Sequence, residues 1–172
     1  SISNPDILYA FYDQHINEDE DYSFRGIFKT TDGGESWVQT NDNSIMDMSS
    51  RFGWYFGQIR IDPGNPDRVY ALGVDLVRTE NGGSSWEAIA GYWNSDDIHV
   101  DHHAMIIDPN TGRVLEGNDG GLYISSNYGN TWEHINNMPL TQFYAIEVDH
   151  QMPQRIYGGT QDNNTIRTLT GE

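Results

Sequence analysis

The residues of this chain best suited to chemistry gather in two short segments. One is His99-Val100-Asp101-His102-His103; the other is Asp119 within Gly117-Asn118-Asp119-Gly120-Gly121. Imidazole and carboxylate move protons near neutral pH and ligate divalent cations. Two further carboxylates stand in related settings, Asp75 in Gly73-Val74-Asp75 and Asp162 in Thr160-Gln161-Asp162-Asn163-Asn164. Paired carboxyl groups are what hydrolysis of a glycosidic bond requires, one as general acid and the other as base or nucleophile. Asp119, Asp162 and Asp101 are the candidates for those roles, whereas Asp75 reads as a turn cap. Aromatic rings accompany them: Trp54-Tyr55-Phe56, Tyr92-Trp93 and Gln142-Phe143-Tyr144. Their flat apolar faces suit sugar rings. The ligand-binding candidates are Trp54, Tyr55, Tyr92, Trp93, His99, His102, His103, Gln142, Tyr144 and Gln161. A divalent cation, if one binds, falls to His99, Asp101 and His102 with Asp119 as a further ligand; a hydrogen-bonded His–Asp cluster without metal is the equal alternative.

The elements that must position these groups are legible from a repeat. Thr30-Thr31-Asp32-Gly33-Gly34-Glu35-Ser36-Trp37, Thr79-Glu80-Asn81-Gly82-Gly83-Ser84-Ser85-Trp86 and Ser125-Ser126-Asn127-Tyr128-Gly129-Asn130-Thr131-Trp132 share one pattern. Asp or Asn folds its side chain onto the following backbone N–H groups, glycine supplies a positive φ, and the Trp ring packs beneath the turn. A second phrase precedes each box and occurs once more: Asn4-Pro5-Asp6-Ile7-Leu8-Tyr9, Asn65-Pro66-Asp67-Arg68-Val69-Tyr70, Asn110-Thr111-Gly112-Arg113-Val114-Leu115 and Met152-Pro153-Gln154-Arg155-Ile156-Tyr157. A period of about 45 residues with four short strands in each repeat marks propeller blades. The expected fold is all-β, a β-propeller of four-stranded antiparallel blades with boundaries near 1–45, 52–91, 99–137 and 141–172. No helix is expected, and the acidic stretch from His15 to Tyr22 reads as a solvated loop.

In an up-and-down blade, the turns after the first and third strands share one face. That face receives the boxes, so Asp32, Trp37, Asn81, Trp86, Asn127 and Trp132 are expected to be structural. The opposite face receives the turns after the second strands and the crossovers between blades, which carry Asp75, Asp119, Asp162, the histidines and the aromatic clusters.

Composition narrows the partners. With 26 acidic and 9 basic residues the net charge is -17, which repels nucleic acid and anionic membrane surfaces. No apolar stretch is long enough to span a membrane as a helix. The absence of cysteine excludes disulfides and thiolate chemistry. With 172 residues the chain holds three to four blades, fewer than the four to eight of a usual ring. A partial propeller is therefore expected, and the remaining blades of the same propeller, or a second copy, are expected as partners.

The three boxes identify the chain as similar to Asp-box (bacterial neuraminidase repeat) propellers. The phrases Asp97 to Pro109, Gly117 to Ser125, Leu140 to Asp149 and Tyr157 to Asn163 resemble secreted bacterial proteins related to the ten-bladed sortilin-type domain and to family 74 glycosyl hydrolases. That resemblance implies a secreted protein, extracellular or periplasmic, and a ligand that is a polysaccharide or a peptide. It leaves two functions open. One is a glycan-directed module with carboxylates on channel-face turns, as Asp119 and Asp162 would be; the other is a noncatalytic peptide- or protein-binding propeller or scaffold.

Overall fold

A computed structural model describes residues 4–17, 20–41, 43–45, 48–50, 52–91, 97–138, 141–161 and 164–168. These residues form four antiparallel sheets. The first contains β1 (Leu8–Asn17), β2 (Glu20–Thr30) and β3 (Val38–Gln39). The second contains β4 (Gln58–Asp62), β5 (Asn65–Leu72), β6 (Leu76–Thr79) and β7 (Glu87–Ala90). The third follows the same order with β8 (His102–Ile107), β9 (Val114–Asn118), β10 (Gly121–Ser125) and β11 (Glu133–His134). In the fourth are β12 (Phe143–Val148), β13 (Ile156–Thr160) and β14 (Thr165–Arg167). Strands pair in chain order in every sheet, the meander of a propeller blade. The architecture is that of a partial β-propeller.

Two expectations need correction. His15–Asn17 and Glu20–Tyr22 are strand where a loop was expected: β1 and β2 pair through His15↔Tyr22 and Asn17↔Glu20. One short 3-10 turn, Asn43–Ile45, stands where no helix was expected.

The chain divides into two compact units, Ser1–Ile135 and Asn136–Glu172. In the first, the second sheet is buried on both faces, and alternation along its strands shows why. Val69, Ala71 and Val77 pack with Phe24, Ile27, Ile45 and Met48 on the side of the first sheet. Tyr70, Leu72 and Leu76 pack with Met105, Ile107, Val114 and Tyr123 on the side of the third. Successive side chains of a strand point to opposite faces, so the run Val69-Tyr70-Ala71-Leu72 fills two cores at once. Full burial of a side chain such as Leu72 or Leu76 is worth about 1.5–3 kcal/mol.

The two joints between these sheets repeat one another. Lys29, just before the first box, donates to the carbonyl of Gly82 at 3.1 Å. Arg78, just before the second, donates to the carbonyl of Tyr128 at 2.7 Å. Gly82 and Tyr128 occupy the same box position, with φ of 67° and 59°. The cross-strand neighbours also repeat, Tyr9↔Lys29 and Tyr70↔Arg78. Their hydroxyls reach the next sheet as well, Tyr9 to the Pro66 carbonyl at 3.5 Å and Tyr70 to that of Tyr128 at 2.9 Å. Each box then sits on the residue three places beyond the preceding Trp: Gly83 on Thr40, and Gly129 on Ile89.

The second unit is the fourth sheet. Within it the Phe143 ring lies over Gly158, and Tyr157 donates to Asp149 Oδ2 at 3.1 Å.

Candidate functional site

The box end of the sheets is closed by its own hydrogen bonds. Asp32 Oδ1 accepts from the Ser36 amide at 2.9 Å, Asn81 Oδ1 from Ser85 at 2.9 Å and Asn127 Oδ1 from Thr131 at 2.9 Å. The hydroxyls of Thr30, Thr79 and Ser125 each accept from the second box glycine, at 2.8–3.0 Å. The residue after each Asx donates to the carbonyl of the preceding phrase: Gly33 to Asp6, Gly82 to Asp67, Tyr128 to Gly112. Hydrogen bonds from Ser36 and Thr30 hold the Asp32 carboxyl well below the usual carboxylate range. Asp62 ends β4, and Asp108 and Asp149 directly follow β8 and β12; each caps the turn after it, and Asp62 also binds Arg68 at 2.8 Å. The bonds these side chains make are the ones that shape their own turns.

The other end is built from crossovers laid against the turns that follow second strands. Asp75 donates its amide to the Met48 carbonyl at 2.9 Å, Asp101 to Val74 at 3.0 Å and His102 to Gly73 at 3.0 Å. Asp101 adopts φ of 67°, a left-handed conformation uncommon for a residue with a side chain. From there the chain enters β8, and alternation sends consecutive histidines to opposite sides.

His102 turns inward. Its Nδ1 shares a hydrogen bond with Glu116 Oε1 at 2.7 Å, and both side chains are fully buried. Glu116 Oε2 accepts from Asn118 Nδ2 at 2.8 Å, and the same amide nitrogen donates to the His99 carbonyl at 2.9 Å. Asn118 Oδ1 accepts from the Gly120 amide at 2.9 Å. One buried chain of polar groups thus fastens the crossover to the Gly117–Gly121 turn. Among the described residues His102 Nε2 has no hydrogen-bond partner.

His103 turns outward. Its Nε2 lies 2.6 Å from Asp119 Oδ1, and both groups reach solvent. The Tyr55 ring meets the imidazole edge-on at 5.4 Å and the Phe56 ring is tilted against it at 5.3 Å. Trp54 tilts against Tyr55 at 5.4 Å and is 60% exposed. Gln58 donates to the His103 carbonyl, tying β4 to β8 beneath the rings. The result is an exposed aromatic platform bordered by a His–Asp pair.

A second carboxyl lies under the same loop. A side chain on Gly53 would collide with Asp13, so the loop carrying Trp54 and Tyr55 rests on that carboxyl group. Both Asp13 oxygens are shielded from solvent without a hydrogen bond of normal geometry. Burial pushes the Asp13 carboxyl above its ordinary range, with the Gln14 backbone and Arg25 opposing.

Several candidates therefore change place. His102, expected to reach a ligand, is enclosed on Glu116, and it is His103 that meets Asp119. His99 turns its Nδ1 to the Val100 carbonyl at 2.9 Å and packs against Gly120. Among the described residues no three His, Asp or Glu side chains converge to hold a metal ion, so His99, Asp101 and His102 do not form a ligand set by themselves. Asp75 lies against Gly91 in its turn. Asp162, Tyr92 and Trp93 lie outside the described residues. Gln142, Tyr144 and Gln161 belong to the second unit, where the Gln161 amide donates to the Gln142 carbonyl at 3.0 Å and Tyr144 is exposed. Glu116 and Asp13 were not singled out from sequence. Glu116 had a signal, since it occupies the inward register of β9 two residues after Val114.

No family model matches the chain. In sequence it is similar to a xyloglucanase from Paenibacillus sp, at 26% identity over 178 residues that take in 91% of this chain and 16% of the relative. A xyloglucanase from Acetivibrio thermocellus is 27% identical over 152 residues, covering 77% of this chain and 18% of the relative. The chain thus spans less than a fifth of these relatives' length. In structure it is similar to the GH74 xyloglucanase from Xanthomonas campestris, with a TM-score of 0.59 and 15% identity, over 96% of this chain and 27% of that one. The similarity is distant, covers most of the chain and shows the propeller fold.

Proposed function

We propose that the chain is a glycan-directed propeller module that binds polysaccharide across the Trp54–Tyr55 platform, with the His103–Asp119 pair supplying polar contacts at its edge. The observation that carries this reading is the imidazole held between Tyr55, Phe56 and Asp119, with Trp54 exposed beside it. Exposed rings offer sugar its apolar faces, and a His–Asp pair offers hydroxyl groups a donor and an acceptor. The xyloglucanase names of the relatives support a polysaccharide as the ligand class. Asp119 is the carboxylate we assign to any hydrolytic step. A polymer ligand of this kind is met outside the cytoplasm, so we place the module in an extracellular or periplasmic setting.

Noncatalytic binding is the second reading, and one observation favours it. Asp119 is committed to His103, which suits an acceptor that positions a ligand better than an acid that gives up a proton. A net charge of -17 would also draw a basic peptide.

Titration calorimetry with neutral polysaccharides and their oligosaccharides, together with a basic peptide, tests both readings. Trp54→Ala should weaken glycan binding about tenfold, equivalent to ~1.4 kcal/mol, with unchanged melting. Absence of glycan binding, or binding indifferent to Trp54, would overturn the first reading. Release of reducing ends that stops in Asp119→Asn would separate hydrolysis from binding alone.

A further inference from the structure

The turn that carries the platform is bonded to itself and rests on β1 at two points. The amides of Tyr55 and Phe56 both return to the Phe52 carbonyl, at 2.8 and 2.9 Å, and the Phe52 amide donates to the Ser49 carbonyl at 2.7 Å. Gly57 then donates to the Leu72 carbonyl at 3.0 Å and ties the end of the turn to β5. Held together in this way, the segment 52–57 shifts as one body, and Trp54 and Tyr55 shift with it. Beneath it lie Phe11 and Asp13. Gly57, with φ of 106°, closes on the Phe11 ring, and Gly53 closes on the Asp13 carboxyl so nearly that a Cβ there would overlap Oδ2.

The two supports differ in kind. Phe11 is apolar and tilts against Phe24 at 4.9 Å, so it holds Gly57 at every pH. Asp13 can change its charge. Among the described residues neither of its shielded oxygens has a hydrogen-bond partner of normal geometry. The ionisable groups on the elements packed against it are few: β2 brings Arg25, whose Nε turns to Gln14 Oε1 at 3.1 Å, and the turn brings Tyr55, whose ring meets His103. A carboxylate enclosed without donors loses the hydration it has in water, whereas a neutral carboxyl loses far less. Burial accordingly pushes the Asp13 carboxyl above its ordinary range, with the Gln14 backbone and Arg25 offsetting it in part. What lies against the carboxyl is Gly53, so lifting the turn lets water reach the ionised group.

We propose that Asp13 is a positioning residue for the platform, its neutral carboxyl seating the turn through Gly53 and its ionised form releasing Trp54 and Tyr55 from the arrangement that receives a glycan. The inference rests on the reading of Trp54 and Tyr55 as that platform. It makes glycan binding proton-linked. With the turn lifted, Asp13 meets water and titrates near the ordinary value of about 3.9; with the turn seated it titrates higher. Seating is therefore fully supported below about 3.9, and the support is lost as pH rises through the raised value. The platform binds more tightly in acid than at neutral pH.

The indole resonance of Trp54, identified by its loss in Trp54→Phe, reports the turn without any ligand, and calorimetry with a neutral β-glucan oligosaccharide reports binding. Both are followed from about pH 4 to neutral pH. In the wild-type chain the Trp54 signal should move with pH, and affinity should fall as pH rises. Asp13→Asn keeps the shape and removes the charge, so at neutral pH its Trp54 signal should stand nearer the low-pH position and its affinity should exceed that of the wild type. Gly53→Ala should displace the signal at every pH and weaken binding at least about tenfold, with circular dichroism checking the fold. Every other ionisable group of the platform, His103 and Asp119 included, is common to the wild type and Asp13→Asn, so the difference between their profiles belongs to Asp13. Trp54 profiles that coincide in the two chains would overturn the proposal, whether or not glycan binds. Profiles that differ as expected, with no glycan bound at any pH, would uphold the seating of the turn and overturn the glycan reading instead.

Discussion

The two ends of the first three sheets are made from the same strands, yet they treat polar groups in opposite ways. At the box end, Asp32, Asn81 and Asn127 repeat one hydrogen-bond pattern three times. Asp32 and Asp108 are held ionised by donors around them. At the crossover end nothing repeats. Asp13 and His102 bury polar atoms without partners among the described residues, and Asp101 takes a left-handed backbone. Repetition at one end and local cost at the other is the pattern of a scaffold that stabilises a site. A fold with no task at the crossover end could replace Asp13 and the His102–Glu116 pair by apolar side chains with little loss.

The largest test of that contrast removes the buried pair. Glu116→Ala should cost about 3–5 kcal/mol, because it leaves His102 enclosed with neither nitrogen bonded. Chemical denaturation would read this as a lower midpoint with unchanged slope. A loss below about 1 kcal/mol would mean that the chain from His102 to Asn118 does not brace the crossover.

Asp13 gives the contrast a pH dependence. Its folded carboxyl titrates above the unfolded value. Its stabilising contribution is therefore complete below the unfolded pKa of about 3.9 and is lost as pH rises through the raised folded value. Asp32 has the opposite sign: its folded pKa is lowered, so its contribution is present above the unfolded value and is lost as pH falls. Asp13→Asn should raise the melting temperature at neutral pH more than at pH 4. An equal shift at both values would show that Asp13 ionises as freely in the fold as outside it.

At the box end, Asn81→Ala should cost about 1–2 kcal/mol by leaving the Ser85 amide and hydroxyl without their partner. Ligand affinity should not move. A loss of binding with unchanged melting would put the site at the wrong end of the sheets.

What could be read from sequence divides along the same line. The boxes were legible because their chemistry is local: Asx, glycine and Trp at fixed spacing specify one turn wherever they occur. The blades followed, since the interval between boxes leaves room for four strands. The crossover end was legible only as a neighbourhood. Which histidine meets Asp119 depends on a one-residue register set by the left-handed turn at Asp101, and a slip of one residue exchanges inside for outside. Asp13 and Glu116 ran against hydropathy, because an acid in a strand is ordinarily read as solvent-facing. The strand pairing of 15–17 with 20–22 was hidden for the same reason.

The smallest test concerns the one imperfection at the box end. The Trp86 indole donates to Thr40 Oγ1, but the Trp132 indole is buried without an acceptor. The cause is a single substitution within the repeat: Ile89 occupies in the second sheet the place that Thr40 occupies in the first, and an aliphatic chain accepts nothing. Ile89→Thr should give the Trp132 N–H its partner, a gain of about 1 kcal/mol set against the methylene surface removed. Because the two terms are similar in size, the net change in stability should be small. The indole itself gives the sharper reading. Its N–H should exchange with solvent more slowly and shift downfield in the variant. If the Trp132 resonance stayed where it was while stability fell by the full apolar loss, the second joint would not copy the first in this detail, and the repeat would govern the backbone of the joints but not their polar contacts.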